Sequence, residues 1–250
     1  MDTIESLAPW FYEFDLGPLG RTESLLPPEI KPIHLTRLEM VRAAIGRYFS
    51  HERLLRIRCL DVGCHEGYYS IAAAQMGVRE VLGLDIREES LQRARFVART
   101  LGLPDVRFEQ CDAEQVSPAK FGEFELTLFL GLLYHVENPM LCLRNMASVT
   151  QECCVLETQV IDEVEGTTEW GARDWIRPYQ GVLALIDESA EYAASNRETG
   201  STPLATCPSP RALEVMLKHA GFRGVEFIDP PSNAYEQHAR RKRVVCAAWK

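Results

Sequence analysis

The chain has 250 residues, 46% of them apolar, and a formal net charge of −9 at pH 7. This length suits one large domain, alone or with a short appendage. The acidic balance argues against a general nucleic-acid binder, and no apolar run approaches the roughly 18 residues that a membrane span needs. Because residues 1–5 are acidic and lack an apolar signal core, we expect a cytoplasmic protein that does not contact a membrane.

The eight cysteines do not predict a metal site. No two of them have the C-x-x-C spacing that is typical of structural zinc sites. We therefore expect no bound metal, and reduced thiols in the absence of an export signal.

The first fifty residues form an N-terminal unit of their own. Five prolines punctuate residues 1–34, which predicts irregular structure. Aromatic residues are dense over 10–17, so this segment either caps the core or forms a lid over an acceptor pocket. In the second case, Trp10 and Tyr12 would contact the substrate. Apolar residues then recur at three- and four-residue spacing over 35–49, which predicts a helix.

Strand-like and helix-like segments alternate through the middle of the chain. The predicted strands are 57–62, 80–84, 106–110, 124–129 and 154–158, and the predicted helices are 68–75, 88–101 and 140–147. This alternation predicts an α/β domain over 51–250 with a parallel, doubly wound sheet.

The pattern breaks at about 159–206, which predicts an irregular functional insertion or a mobile segment. Order returns at Ser209 and Pro210, a typical N-cap and first helical residue. Strands are predicted at 225–228 and 244–249. Because no helix separates these two strands, we expect the last strand to be antiparallel.

A glycine-containing loop follows the first predicted strand. Asp61 ends the apolar run, and Gly63 and Gly67 stand four apart before the next helix. Such a loop brings backbone N–H groups close to a ligand at a helix N-terminus. Asp85 ends the second strand, where a carboxylate binds ribose hydroxyls. The sequence therefore predicts a nucleoside-bearing cofactor, and the absence of G-x-G-x-x-G argues against a dinucleotide.

This loop resembles the first motif of class I S-adenosylmethionine-dependent methyltransferases, D/E-x-G-x-G-x-G, with His65 in place of the middle glycine. Histidine tolerates a positive φ better than most residues. The resemblance implies a Rossmann-like fold and S-adenosylmethionine as the cofactor. It also implies cofactor contacts that follow one another along the chain, from Asp61, Gly63, His65, Gly67, Asp85, Ile86, Asp112, Ala113, Leu130 and Gly131.

A narrower resemblance comes from the segment 131–139, which is similar to the G-x-L-Y-H segment of enzymes related to the tRNA wobble-uridine carboxymethyltransferase. Those enzymes hold a carboxylated cofactor with a lysine, the motif tyrosine and a C-terminal arginine. Here Tyr134 matches the tyrosine, and Arg240 or Arg241 is the expected arginine, with Arg240 placed at the substrate. Because the run directly before the first strand, residues 51–58, contains no lysine, we expect ordinary methyl transfer.

His135 is the candidate general base, since its ordinary pKa lies near neutral; alternatively, it orients its loop. Tyr134 is expected to shape the methyl-transfer pocket, and His65 to face the cofactor carboxylate or to shape the loop. Three hypotheses remain. The chain methylates an oxygen or nitrogen of a small molecule, or modifies tRNA through the basic residues 240–243, or binds the cofactor without catalysis.

Overall fold

The computed structural model describes residues 2–169, 175–193 and 202–250. Two parts of the predicted insertion, residues 170–174 and 194–201, lie outside the described residues.

A seven-stranded sheet forms the centre of the molecule, in the order β3-β2-β1-β4-β5-β9-β8. The five strands β1 to β5 run parallel to one another, and β9 runs antiparallel to both β5 and β8. This confirms the predicted Rossmann-like sheet with an antiparallel last strand. The strands are β1 (Arg58–Val62), β2 (Glu80–Asp85), β3 (Val106–Gln110), β4 (Phe124–Leu130), β5 (Thr150–Gln159), β8 (Gly224–Ile228) and β9 (Arg243–Trp249).

Helices cover both faces of the sheet and agree closely with the predicted segments. Ser209 caps α8 as expected, because its hydroxyl accepts from the Ala212 N–H at 3.4 Å and Pro210 begins the helix. The helices are α1 (Pro32–Tyr48), α2 (His51–Leu54), α3 (Tyr68–Gln75), α4 (Glu88–Thr100), α5 (Pro118–Phe121), α6 (Pro139–Val149), α7 (Ser189–Ala193), α8 (Pro210–Ala220) and α9 (Glu236–Ala239).

The region 159–206 contains more regular structure than we expected. A second, two-stranded antiparallel sheet pairs β6 (Leu183–Asp187) with β7 (Leu204–Pro208), and α7 lies between them in sequence. The expectation of an irregular segment is wrong here. The apolar run 183–186 within β6 is compatible with a strand, and our sequence analysis missed this signal.

The N-terminal segment packs into the core on one face of the sheet. Trp10 is 2% exposed, lies against Phe14 and Phe96, and donates from its indole Nε1 to the Ile4 carbonyl at 2.9 Å. The predicted substrate contact for Trp10 is therefore wrong, because its ring and its one donor are used inside the core. Whether the segment moves as a lid stays a prediction.

A buried carboxylate attaches the N-terminal segment to the glycine loop. Glu66, which is 1% exposed, accepts hydrogen bonds from the backbone N–H groups of Phe11 and Tyr12 at 2.9 and 3.0 Å. The Arg93 guanidinium lies 3.8 Å from the same carboxylate. Residues that are distant in sequence therefore meet at the end of β1.

Candidate active site

The glycine loop between β1 and α3 is fixed to the end of β2. The backbone N–H groups of Gly63 and Cys64 both donate to the Leu84 carbonyl, at 2.8 and 2.9 Å. Gly63 has φ +78°, and a Cβ there would lie 2.7 Å from Leu132 Cδ2. His65 has φ 51°, so it adopts the left-handed conformation expected of it. Only glycine at position 63 allows this close approach of the backbone.

Asp85, at the end of β2, has its carboxylate oriented by the backbone. Its Oδ2 accepts from the His65 N–H and its Oδ1 from the Arg87 N–H, both at 2.9 Å. Burial raises the pKa of this carboxyl above its ordinary value, while these hydrogen bonds lower it. Each carboxylate oxygen accepts more than one hydrogen bond, so Asp85 can still bind hydroxyl groups of a ligand.

Two of the ten predicted cofactor residues lie away from the cavity and shape the loop instead. The Asp61 carboxylate is 1% exposed and accepts from the Ser70 hydroxyl at 2.6 Å, and burial raises its pKa to about 7. Gly67 has φ +78°, and a Cβ there would lie 2.6 Å from the Phe108 ring. For these two residues we correct the expected cofactor contact to a role in loop structure.

The other eight predicted cofactor residues line one cavity of about 320 Å³ at the carboxyl ends of the parallel strands. Both predicted catalytic residues, Tyr134 and His135, and the predicted substrate residue Tyr12 also line it. A volume of this size is typical of small-ligand sites. The eight cofactor candidates in its wall are Gly63, His65, Asp85, Ile86, Asp112, Ala113, Leu130 and Gly131.

A buried ionic cluster lies at the end of β5, beside the cavity. Glu157 is fully buried; Arg243 Nη1 lies 3.0 Å from its Oε1, Arg37 Nε at 3.3 Å and His238 Nε2 at 3.5 Å. Burial alone would raise the pKa of Glu157, but the guanidiniums of Arg243 and Arg37 hold it well below its ordinary value. Both arginines line the cavity. Charged residues inside otherwise apolar segments were the available sequence signal for this cluster, and our sequence analysis missed the two arginines.

Arg243 lines the cavity, whereas Arg240 does not. Arg243 Nη1 donates to the Tyr134 hydroxyl at 3.0 Å, and its guanidinium lies 5.0 Å from the centre of that ring. Arg240 is exposed, 3.5 Å from the Glu236 carboxylate. The chain turns at Arg241, where φ is 54°, so the predicted contact of Arg240 with the substrate is wrong.

His135 ends a short 3-10 turn, Leu133–His135, that follows β4. Its backbone N–H donates to the Leu132 carbonyl at 2.8 Å. Burial, and then the positive charges of Arg243, Arg87 and Arg37, lower the pKa of His135 to about 4. The imidazole is therefore neutral at pH 7 and can accept a proton.

Several buried polar atoms around the cavity have no hydrogen-bond partner among the described residues. Their number is informative because most buried polar atoms in proteins are paired, and leaving one unpaired costs free energy. A polar ligand in the cavity would supply partners. These atoms include both ring nitrogens of His34 and Nδ1 of His65.

Two further properties concern the described residues only. No helix in the part of the chain that the structure describes combines the length and apolar character needed to cross a membrane. Within the same residues, no group of three or more His, Cys, Asp or Glu side chains is placed to hold a metal ion.

Comparisons with known proteins agree with this geometry. Residues 56–196 match the protein family described as a methyltransferase domain. The ubiquinone biosynthesis O-methyltransferase of Leptothrix cholodnii is 30% identical over 209 residues, which is 80% of this chain and 79% of that protein. The tRNA U34 carboxymethyltransferase of Syntrophotalea carbinolica is 29% identical over 72% of this chain, but only 49% of that protein is covered.

The fold is also found among solved structures. The N-terminal domain of EvdMO1, crystallised in the presence of SAH and D-fucose, superposes with a TM-score of 0.71 at 23% identity and covers 98% of this chain and 93% of that one. At this identity the likeness shows the fold alone. Together with the family match over more than half of the sequence, it agrees with the seven-stranded sheet described above. The chain belongs to the methyltransferase-domain family and is an S-adenosylmethionine-dependent methyltransferase.

Proposed function

We propose that this methyltransferase methylates a hydroxyl group of a small molecule, with His135 as the general base. The cofactor would lie across the ends of β1, β2 and β4. The acceptor would lie against the N-terminal segment, where Phe11 and Tyr12 line the same cavity as His135. The observation that supports this proposal most strongly is a neutral, buried imidazole in the wall of that cavity.

The residues of the cavity fit the cofactor. Asp85 would bind the ribose hydroxyls, Asp112 would lie at the adenine, and the backbone at Gly63 and Gly131 would approach the amino-acid portion. Arg37 would pair with the carboxylate of that portion, because its guanidinium lines the cavity beside Gly131, where a Cβ would lie only 3.2 Å from Arg37 Nη1.

Each catalytic side chain then has a defined task. When bound, S-adenosylmethionine supplies a methyl group on a positively charged sulfur, so the methyl donor needs no further activation. His135 would accept the proton of the acceptor hydroxyl as the oxygen bonds to the methyl carbon and the bond between that carbon and the sulfur breaks, with the electron pair of the broken bond left on the sulfur. Arg243 holds the Tyr134 ring in place through the hydroxyl, and this fixed ring shapes the space beside the reacting oxygen.

A small acceptor is favoured over tRNA by the walls of the cavity and by the surface charge. Leu26, Ile30 and Ile33 add apolar area to the wall. The basic stretch that suggested tRNA binding is neutralised, because Arg240, Arg241 and Lys242 each pair with an acidic side chain. The net charge of −9 also disfavours a polyanionic partner.

A second candidate function is transfer of a carboxylated methyl group, as in the tRNA-modifying relatives. One observation favours it, since Tyr134 and Arg243 meet in the cavity and Arg37 supplies a further cation in the cavity wall. Against it, Arg243 and Arg37 already pair with Glu157. Native mass spectrometry of the purified protein distinguishes the two, because a carboxylated cofactor retained by the protein is heavier.

The test of the main proposal is His135→Gln, measured against the exposed His219→Gln as a matched control. Product SAH would be quantified over a panel of hydroxylated small molecules, with SAM affinity determined by calorimetry. We expect His135→Gln to lower the rate about 10²- to 10⁴-fold, the usual contribution of a general base, and to leave the affinity for SAM within about twofold.

An unchanged rate in His135→Gln would contradict the assigned base. Methylation of tRNA at low salt, with no small molecule modified, would contradict the assigned acceptor class.

A further inference from the structure

Two buried polar atoms face each other at the edge of the cavity, and neither has a hydrogen-bond partner among the described residues. They are Nδ1 of His135 and Oε2 of Glu188, which lie 4.0 Å apart. Only about a fifth of each side chain is exposed, 20% for the histidine and 23% for the glutamate. One atom can donate and the other accepts, so each supplies what the other lacks.

The two-stranded sheet of β6 and β7, called the small sheet below, holds Glu188 in this position. Glu188 stands between the end of β6 and the start of α7, where the Asp187 carboxylate accepts from the Ser189 N–H at 3.0 Å and so fixes the turn between the two elements. The Glu188 N–H donates to the Pro203 carbonyl at 2.8 Å. Because β7 also contacts the turn that carries His135, the small sheet fixes both members of the pair relative to each other.

We propose that Glu188 is a positioning residue for His135: its carboxylate accepts a hydrogen bond from Nδ1–H, which leaves Nε2 as the nitrogen with the free lone pair that accepts the proton. Neutral imidazole carries one proton on either nitrogen, and the partner of one nitrogen decides which nitrogen remains basic. The 4.0 Å separation needs to shorten by about 1 Å to become a hydrogen bond. Catalytic hydrogen bonds often shorten in this way when substrate binds.

The charges around His135 explain why a carboxylate is useful there. Arg37 from α1, Arg87 from the segment after β2 and Arg243 from β9 all disfavour a positively charged imidazole, and Glu157 from β5 opposes them. The Tyr134 ring, 4.2 Å away between centroids, is the remaining titratable neighbour that the structure places against His135. Glu188 adds the negative charge that stabilises the imidazolium once His135 has accepted a proton.

This inference depends on the proposed role of His135 as a base, so its first test reads the imidazole directly. Side-chain ¹H–¹⁵N correlation spectra at pH 7 distinguish the two tautomers, and His135→Gln identifies the signal. We expect the wild-type protein to carry its proton on Nδ1. Glu188→Ala should shift His135 toward the Nε2-protonated form, whereas Glu188→Gln, whose amide oxygen still accepts, should retain the wild-type tautomer.

Turnover provides the second readout. We expect Glu188→Gln to lower kcat about tenfold through loss of the charge, and Glu188→Ala to lower it about 100-fold or more, with unchanged SAM affinity. Glu191→Gln, an exposed carboxylate on the same short helix, is the matched control and should match the wild-type protein in both measurements.

The two ideas can fail separately. If the His135 tautomer stays the same in Glu188→Ala, Glu188 does not position the imidazole and the inference is overturned, whatever the kinetics. If the tautomer shifts but the rate does not, the positioning is supported and the assignment of His135 as the base is wrong.

Discussion

Two carboxylates at the carboxyl ends of parallel strands, Asp85 on β2 and Glu157 on β5, have opposite surroundings. Asp85 lines the cavity, and backbone N–H groups are its hydrogen-bond donors. Glu157 is fully buried and pairs with the guanidiniums of Arg243 and Arg37. Only β1 and β4 separate the two strands, so one sheet carries an acidic ligand site and a basic one side by side.

The difference shows that the partner of a carboxylate, more than its position, decides its role. Backbone N–H groups orient Asp85 but leave it a full negative charge, so the carboxylate itself can bind a ligand hydroxyl. The side chains of Arg37 and Arg243 neutralise Glu157, and these arginines, rather than Glu157, line the cavity. The end of β2, with Asp85, therefore suits the sugar of a nucleoside. The end of β5, with its two arginines, suits groups that carry partial or full negative charge.

The largest expected effect comes from breaking the buried ion pair between Arg243 and Glu157. Arg243→Met leaves Glu157 without its closest cation, and removal of one partner of a buried ion pair usually costs about 3–5 kcal/mol. We expect urea unfolding to show a loss of this size. The double variant Glu157→Gln with Arg243→Met should recover part of it, because no buried charge then remains unpaired.

The matched control for that comparison is Arg240→Met, at an exposed and paired surface arginine. Its cost should stay below about 1 kcal/mol, as is usual for surface ion pairs. Equal losses for the two arginine variants would show that the Glu157 cluster is not a buried ion pair in solution.

An effect of intermediate size is expected for substitution of Asp85, at the end of β2. Asp85→Asn keeps an oxygen that can accept the His65 N–H but removes the charge, and hydrogen bonds to charged groups contribute about 1.5–3 kcal/mol. We expect SAM affinity to fall by one to two orders of magnitude in calorimetry. Asp229→Asn, at a surface acid paired with Arg241, is the control. Wild-type affinity in Asp85→Asn would remove the ribose contact from the proposal.

The smallest effect is a change in the pH dependence of stability. Burial, together with the nearby Arg37, lowers the pKa of His34 from 6.5 to about 3 in the folded protein. The unfolded chain therefore binds a proton first as the pH falls below 6.5, and the folded state loses stability with a slope of up to about 1.4 kcal/mol per pH unit.

The side chain introduced by His34→Phe cannot titrate. Between pH 6 and pH 5 the unfolding free energy of this variant should therefore fall less steeply than that of the wild-type protein, and the two slopes should differ by about 1 kcal/mol per pH unit. His219→Gln, at an exposed histidine, should keep the wild-type slope. Parallel slopes for His34→Phe and the wild-type protein would mean that His34 is not buried in its neutral form.

The cofactor half of the site could be predicted because its residues follow one another along the sequence. Asp61 to Asp85 contains the loop and the ribose acid, and the backbone turn at Gly63 requires a recognisable residue type. The sheet was predictable for a similar reason, since apolar periodicity is a local signal. Local patterns thus carry most of the fold and one half of the cavity.

The other half depends on contacts between distant residues. Glu157 pairs with Arg37 and Arg243, and His135 faces Glu188 across the small sheet. No periodicity links these positions. The apolar run 183–186 in β6 is compatible with a short strand or with part of a helix, so by itself it did not identify the small sheet. Trp10 illustrates the same limit, because an aromatic residue in a proline-rich segment has the same local signature in a core as in a pocket.

Glu66 anchors the N-terminal segment through backbone groups, so the anchor does not depend on which side chains the segment carries. Glu66 bonds to the backbone N–H groups of Phe11 and Tyr12, which every residue except proline possesses. The side chains at these two positions can therefore change without loss of the anchor. A new acceptor preference can arise there by substitution of single residues, while the strand ends that we propose to bind the cofactor stay as they are.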